Sequence, residues 1–193
     1  MDFNTSRANH HNRNQFQTSA ANKVKDRHCH CDLVLIQQSV NVNTADTNYR
    51  YNSLMTDAQS PHEFGTDYGN TTAGAATISV ENLMKTKQWE VRKDGRITKI
   101  NGYMTSAKAK TTTIALCKWT PDPSASTAIT PSVVHEFDVT ETGTDYDLVA
   151  QFTETVIDSP SISAGDMLFL MLKGNATGNS FGHISIEYTD NKL

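Results

Sequence analysis

His28, Cys29, His30 and Cys31 follow one another without a break, the densest run of metal-ligand side chains in the chain. Thiolate and imidazole together suit zinc or copper. In an extended chain, successive side chains point to opposite faces. Only Cys29 with Cys31, or His28 with His30, can therefore meet one ion from this stretch. A tetrahedral site would need further donors, from His10 and His11 or from copies around a symmetry axis. The plainer reading is a polar segment that happens to carry these residues, and a Cys29–Cys31 redox pair is the third.

The remaining chemistry-bearing residues are scattered. Cys117 lies in a strongly β-forming stretch between Leu116 and Trp119, where a free cysteine packs as a small hydrophobe. A nucleophile needs an adjacent base, and the local sequence supplies none. His135 and His183 sit beside apolar neighbours and read as packed or interface histidines. Asp138, Glu141, Asp145, Asp147, Glu154 and Asp158 are spread over strands and turns, without the Asp-x-Asp-x-Asp-Gly spacing of a calcium loop. There is no G-x-S-x-G, no phosphate-binding glycine loop, no His-Glu-x-x-His and no Cys-x-x-Cys. The expectation is a non-enzyme with no cofactor.

The elements that would carry these residues change character near Asp32. From Leu33 onward the apolar period is mostly two. Leu33–Val42, Arg96–Met104, Thr111–Trp119, 133–139, 146–152, Asp166–Lys173 and Phe181–Tyr188 read as strands. Within Thr111–Trp119, Ile114 and Leu116 share one face and Ala115, Cys117 and Trp119 the other. Lys93-Asp94-Gly95, Pro121-Asp122-Pro123, Glu141-Thr142-Gly143 and Ala164-Gly165-Asp166 supply turns. Helix is scarce; a short turn in Val80–Lys87, capped by Ser79, is the best candidate. Met167–Leu172 is apolar on both faces, so its second face needs a cover. A neighbouring subunit is the preferred cover, and a roof from the irregular segment Asn43–Asn70 is the alternative. The pattern predicts an all-β sandwich or barrel of about eight antiparallel strands over residues 32–193.

Residues 1–31 form an extended N-terminal arm rich in Asn, Gln, Ser, Thr and His, with little to bury beyond Phe3, Phe16 and Val24. Burial within such a segment cannot offset its ordering entropy, so it is expected to order only against another surface. Arg7, Arg13, Lys23, Lys25 and Arg27 against Asp2 and Asp26 give the arm +3, which leaves −7 on the rest of a chain of net charge −4. A basic arm and an acidic body suit docking between copies. Five spread charges without interleaved aromatics argue against nucleic acid. Three cysteines make no disulfide framework, the first residues lack the apolar core of a secretory leader, and the longest apolar run, Met167–Leu172, is too short to span a bilayer. Synthesis in a reducing cytoplasm and no membrane partner are expected.

Two stretches carry a family resemblance. Trp89-Glu90-Val91-Arg92-Lys93-Asp94-Gly95-Arg96-Ile97-Thr98-Lys99-Ile100 resembles a recurring opening in jelly-roll virion proteins of tailed bacteriophages. Ile162-Ser163-Ala164-Gly165-Asp166, the apolar strand after it, and Gly182-His183-Ile184-Ser185-Ile186 are similar to the closing strands of those proteins and of C1q-like and tumour-necrosis-factor-like jelly rolls. The resemblance covers roughly residues 88–190. It implies a jelly-roll sandwich, commonly trimeric, in a capsid decoration (cement) protein of the virion whose arm clasps the major capsid protein or other virion subunits. Phe3, Phe16, the five basic arm residues, Tyr49 and Tyr51 are the expected contact points. The alternative it implies is a tail or fibre component binding host-surface glycan, with Tyr49, Tyr51, Tyr68 and Trp119 as sugar-stacking aromatics.

Overall fold

A computed structural model describes residues 31–40, 48–51, 66–122, 128–156, 158, 161–176, 178 and 180–190, with the backbone alone at 31–40, 51, 66, 67 and 190. The strands are β1 (Cys31–Val40), β2 (Arg50–Tyr51), β3 (Thr66–Asp67), β4 (Ile78–Ser79), β5 (Trp89–Glu90), β6 (Gly95–Ser106), β7 (Lys110–Trp119), β8 (Ala128–Ile129), β9 (Ser132–Glu141), β10 (Ala150–Thr155), β11 (Ser161–Ile162), β12 (Met167–Gly174) and β13 (Ser180–Asp190). Among the described residues the one helix, α1 (Val80–Met84), follows β4. Its cap is the expected one: the Ser79 hydroxyl accepts from the Asn82 N–H at 3.2 Å.

The fold is an all-β sandwich of antiparallel sheets. One sheet runs β1-β13-β6-β10, with β11 also on β6; the other runs β3-β2-β12-β7-β9, with β5 on β12. Between them lies a core of Ile97, Ile100 and Met104 from β6, Ile114 and Leu116 from β7, Leu168, Leu170 and Leu172 from β12, and Ile184, Ile186 and Tyr188 from β13. A period of two feeds this layer from β7, β12 and β13, while β6 changes phase between Ile97 and Ile100, where its pairing with β13 skips a residue.

Strands β7 and β12 are apolar on both faces, and the structure gives each face a core. Ala115, Cys117 and Trp119 of β7 and Phe169 and Met171 of β12 point away from the main core and meet Tyr49, Tyr68, Ala73, Ile78 and Leu83. The cover over Phe169 and Met171 is thus supplied by Tyr49, Tyr68, Ala73, Ile78 and Leu83 of the same chain. This corrects the expectation of a subunit contact there: both side chains are 0% exposed in a single copy. Tyr68 secures the roof by donating its hydroxyl to the Ala76 carbonyl at 2.5 Å and accepting from the Ala76 N–H at 2.8 Å.

Two other readings are revised. The alternation over 146–152 is a strand only from Ala150, and the residues before it form a turn with Asp145 and Tyr146 at φ 51° and 64°. In β9, the pairing to β7 skips a residue between Leu116–His135 and Cys117–Val133. That bulge turns Val134 into the main core while Val133 packs on the second.

Candidate functional site

Most polar side chains buried among the described residues have structural partners, the Tyr49 hydroxyl and Glu141 Oε1 being exceptions. Burial pushes the Cys117 thiol far up, and Glu136 adds to the effect, so it is no nucleophile at neutral pH. His135, 4% exposed, holds Asp158 at 2.6 Å through Nδ1 and Glu154 at 3.4 Å through Nε2, and its ring stacks on Phe137 at 5.8 Å. It thereby ties β9 to β10, the end strands of the two sheets. His183 is exposed on β13. Glu141 is buried at the end of β9, where its Oε2 accepts from Thr112 at 2.9 Å and Ser180 at 3.0 Å. Burial raises its pKa against these bonds and the nearby Lys110 charge. Lys110 donates to the Gly178 carbonyl at 2.7 Å, and burial lowers its pKa. Among the described residues, no group of three or more His, Cys, Asp or Glu is placed to hold a metal.

Asp166 is the best-held carboxylate. Its Oδ1 accepts from the Thr120 hydroxyl at 2.6 Å, its Oδ2 from the Ser163 N–H at 2.9 Å, and Lys118 stands 3.5 Å away. Burial raises its pKa, but these donors outweigh burial and the net direction is down. With Gly165 at φ 91°, it fixes the turn that the sequence marks between β11 and β12.

The turn at 143–149 carries exposed apolar side chains, although Tyr146 also packs its ring against Phe181 at 5.3 Å. It is pinned to the sandwich by backbone: Asp145 N–H donates to Ala107 O and Tyr146 N–H to Ser106 O, both at 3.0 Å. The Thr105 hydroxyl donates to Leu148 O at 2.9 Å, and the Thr144 N–H donates to Asp147 Oδ1 at 2.6 Å. Gly143 is required beneath it: a Cβ there would stand 2.8 Å from both Asp147 Oδ1 and the Leu148 Cβ. This turn presents Tyr146, Leu148 and Val149 outward, at 41%, 54% and 63% exposure, beside Tyr103 at 53%. Asp145 and Tyr146 keep left-handed backbone without being glycine, a conformation that costs free energy and persists only where the surroundings impose it. Sequence reasoning placed Tyr146 and Leu148 on a strand. The signal it passed over was Asp-Tyr-Asp following Gly143, a run rich in turn-forming residues.

The predicted site residues fall in three groups. Phe3, Arg7, Arg13, Phe16, Lys23, Lys25, Arg27, His28, Cys29 and His30 lie outside the described residues, and Cys31 and Tyr51 are described as backbone in β1 and β2. Tyr49 is fully buried in its own chain, with the Lys173 ammonium 4.5 Å from its ring centre, so it is a core residue and not a surface anchor. Tyr68 and Trp119, 6% and 5% exposed, are likewise core residues and offer no face to a sugar; Trp119 donates to Gln88 Oε1 at 2.8 Å.

No protein-family model matches the chain, and no curated protein matches it. Among the described residues, no helix is long and apolar enough to cross a membrane.

Proposed function

We propose that this protein is a non-enzymatic structural subunit of a virion: a capsid decoration protein that assembles as a trimer and clasps neighbouring capsid subunits through residues 1–31. The observation that carries the reading is the pinned turn at 143–149. Exposed apolar side chains in a cluster mark contact surfaces, and rigid backbone beneath them reduces the ordering cost of association.

Two further features support it. Taking β1, β5, β6, β7, β9, β10, β12 and β13 as successive strands, the sheets read first–eighth–third–sixth and second–seventh–fourth–fifth. That order is compatible with a jelly roll, the fold that the resemblance of residues 88–190 implies. The charge division, +3 on residues 1–31 and −7 on the remainder, favours an arm lying on a neighbouring body. Three such arms on one trimer would make release slow even where each binds weakly.

The test uses particles lacking the protein. Wild-type chain, a chain without residues 1–31, and the Leu148→Asp/Val149→Asp variant are each added, and bound protein is measured after sedimentation. Binding by wild type alone is expected. Equal binding by the truncated chain would overturn the clasp, and equal binding by the double variant would overturn the role of the turn.

A further inference from the structure

A second surface lies on the outward face of β10, β6 and β13. Strand register sets Gln151, Tyr103 and His183 in one row, and Thr153, Asn101 and Ser185 in the next. These side chains line an open concavity of about 300 Å³. That is the lower end of the roughly 300–1,000 Å³ of small-ligand sites.

Its lining is unlike that of the 143–149 turn. Tyr103 presents a half-exposed ring. Around it stand two amides, two hydroxyls and an imidazole, groups that between them donate and accept hydrogen bonds. Asn101 is held in place: its Nδ2 donates to Glu187 Oε1 at 2.9 Å, and its backbone carbonyl accepts from the Ser185 hydroxyl at 3.3 Å. The site contains the Glu187 carboxylate and no Lys or Arg in its lining, which disfavours phosphate and other anions. Its polarity disfavours an acyl chain. A ligand with one weakly apolar face and several hydroxyls meets both demands: the C–H face lies on the Tyr103 ring, and neighbouring hydroxyls bridge amide oxygen and amide nitrogen.

We infer that the outer face of β10, β6 and β13 is a binding site for neutral saccharides, taking one or two sugar rings across Tyr103 between Gln151 and Asn101. The inference does not rest on the assembly reading: Tyr103 borders the 143–149 turn, but none of Asn101, Tyr103 and Gln151 belongs to it.

The experiment applies the full-length chain to an array of neutral mono- to tetrasaccharides, followed by titration calorimetry with the best-bound member. Tyr103→Ala and Gln151→Ala are each expected to weaken binding by about tenfold or more. Tyr103→Phe, which keeps the ring, should stay within a few-fold of wild type. Leu148→Asp should bind saccharide as wild type does while failing to associate. The inference is overturned if no neutral saccharide binds, or if binding is unchanged in Tyr103→Ala and Gln151→Ala, both shown folded by circular dichroism.

Discussion

Phe169→Ala tests the claim that β12 is roofed on its second face by its own chain. Phe169 is fully buried and shares its cluster with Tyr49, Tyr68, Met171 and Leu83. Truncation removes the ring's transfer free energy and leaves a cavity that the two flanking strands, β2 and β7, cannot close by moving together. The expected cost is about 3–5 kcal/mol, a large share of the roughly 5–15 kcal/mol that stabilises a domain. Guanidinium unfolding of wild type and variant reads this directly. It is best done in a Leu148→Asp background, so that the proposed association through the 143–149 turn does not contribute. The loss should be the same at every protein concentration. A loss below about 1 kcal/mol, or one that grows with concentration, would show that Phe169 meets another copy and that the roof is not as described.

Tyr68→Phe keeps the ring but strips both hydrogen bonds from Ala76, and should cost about 1–3 kcal/mol in the same unfolding assay; an unchanged midpoint would contradict the roof's attachment. Gly143→Ala retains every apolar side chain of the turn yet places a Cβ 2.8 Å from the Leu148 Cβ. It should therefore weaken self-association, and unaltered association would mean that the turn's shape is immaterial. Two carboxylates should shift stability with pH in opposite senses. Asp166, with its folded pKa depressed, contributes stability above the ordinary value of about 3.9 that is lost as pH falls through the folded value, so the advantage of wild type over Asp166→Asn should shrink in acid. Glu141, with its folded pKa raised, costs stability when ionised, so wild type should gain on Glu141→Gln as pH falls toward about 4.3. Parallel pH curves for either pair would refute the corresponding assignment.

Much of the body was legible because a period of two needs only side-chain type. The two faces of β7, Ile114 and Leu116 against Ala115, Cys117 and Trp119, separate into the two cores as the pattern predicts. The double-sided run of β12 correctly demanded a second cover. Asn43–Asn70, the alternative cover, does contain Tyr49 and Tyr68, but that Ile78 of β4 and Leu83 of α1 complete the roof was not legible, because no periodicity records the path of the chain between them. The β9 bulge was hidden for a related reason: an inserted residue changes which face Val134 takes without changing composition. The 143–149 turn was missed because Tyr146, Leu148, Ala150 and Phe152 imitate strand alternation, while the left-handed backbone at Asp145 and Tyr146 depends on hydrogen bonds donated to the carbonyls of distant Ala107 and Ser106. The outer-face concavity exists only through the register of three strands remote in sequence.

The proposed assembly depends most heavily on association through that turn. Leu148 and Val149 are 54% and 63% exposed, so a subunit contact has about 1–2 kcal/mol to gain from each. Replacing both with Asp should weaken each contact by about 30- to 700-fold. The molar mass of the full-length chain, measured by sedimentation equilibrium across a concentration series, should be that of a trimer for wild type and of a monomer for Leu148→Asp/Val149→Asp. A wild-type chain that stays monomeric throughout, or a variant that stays trimeric, would contradict it.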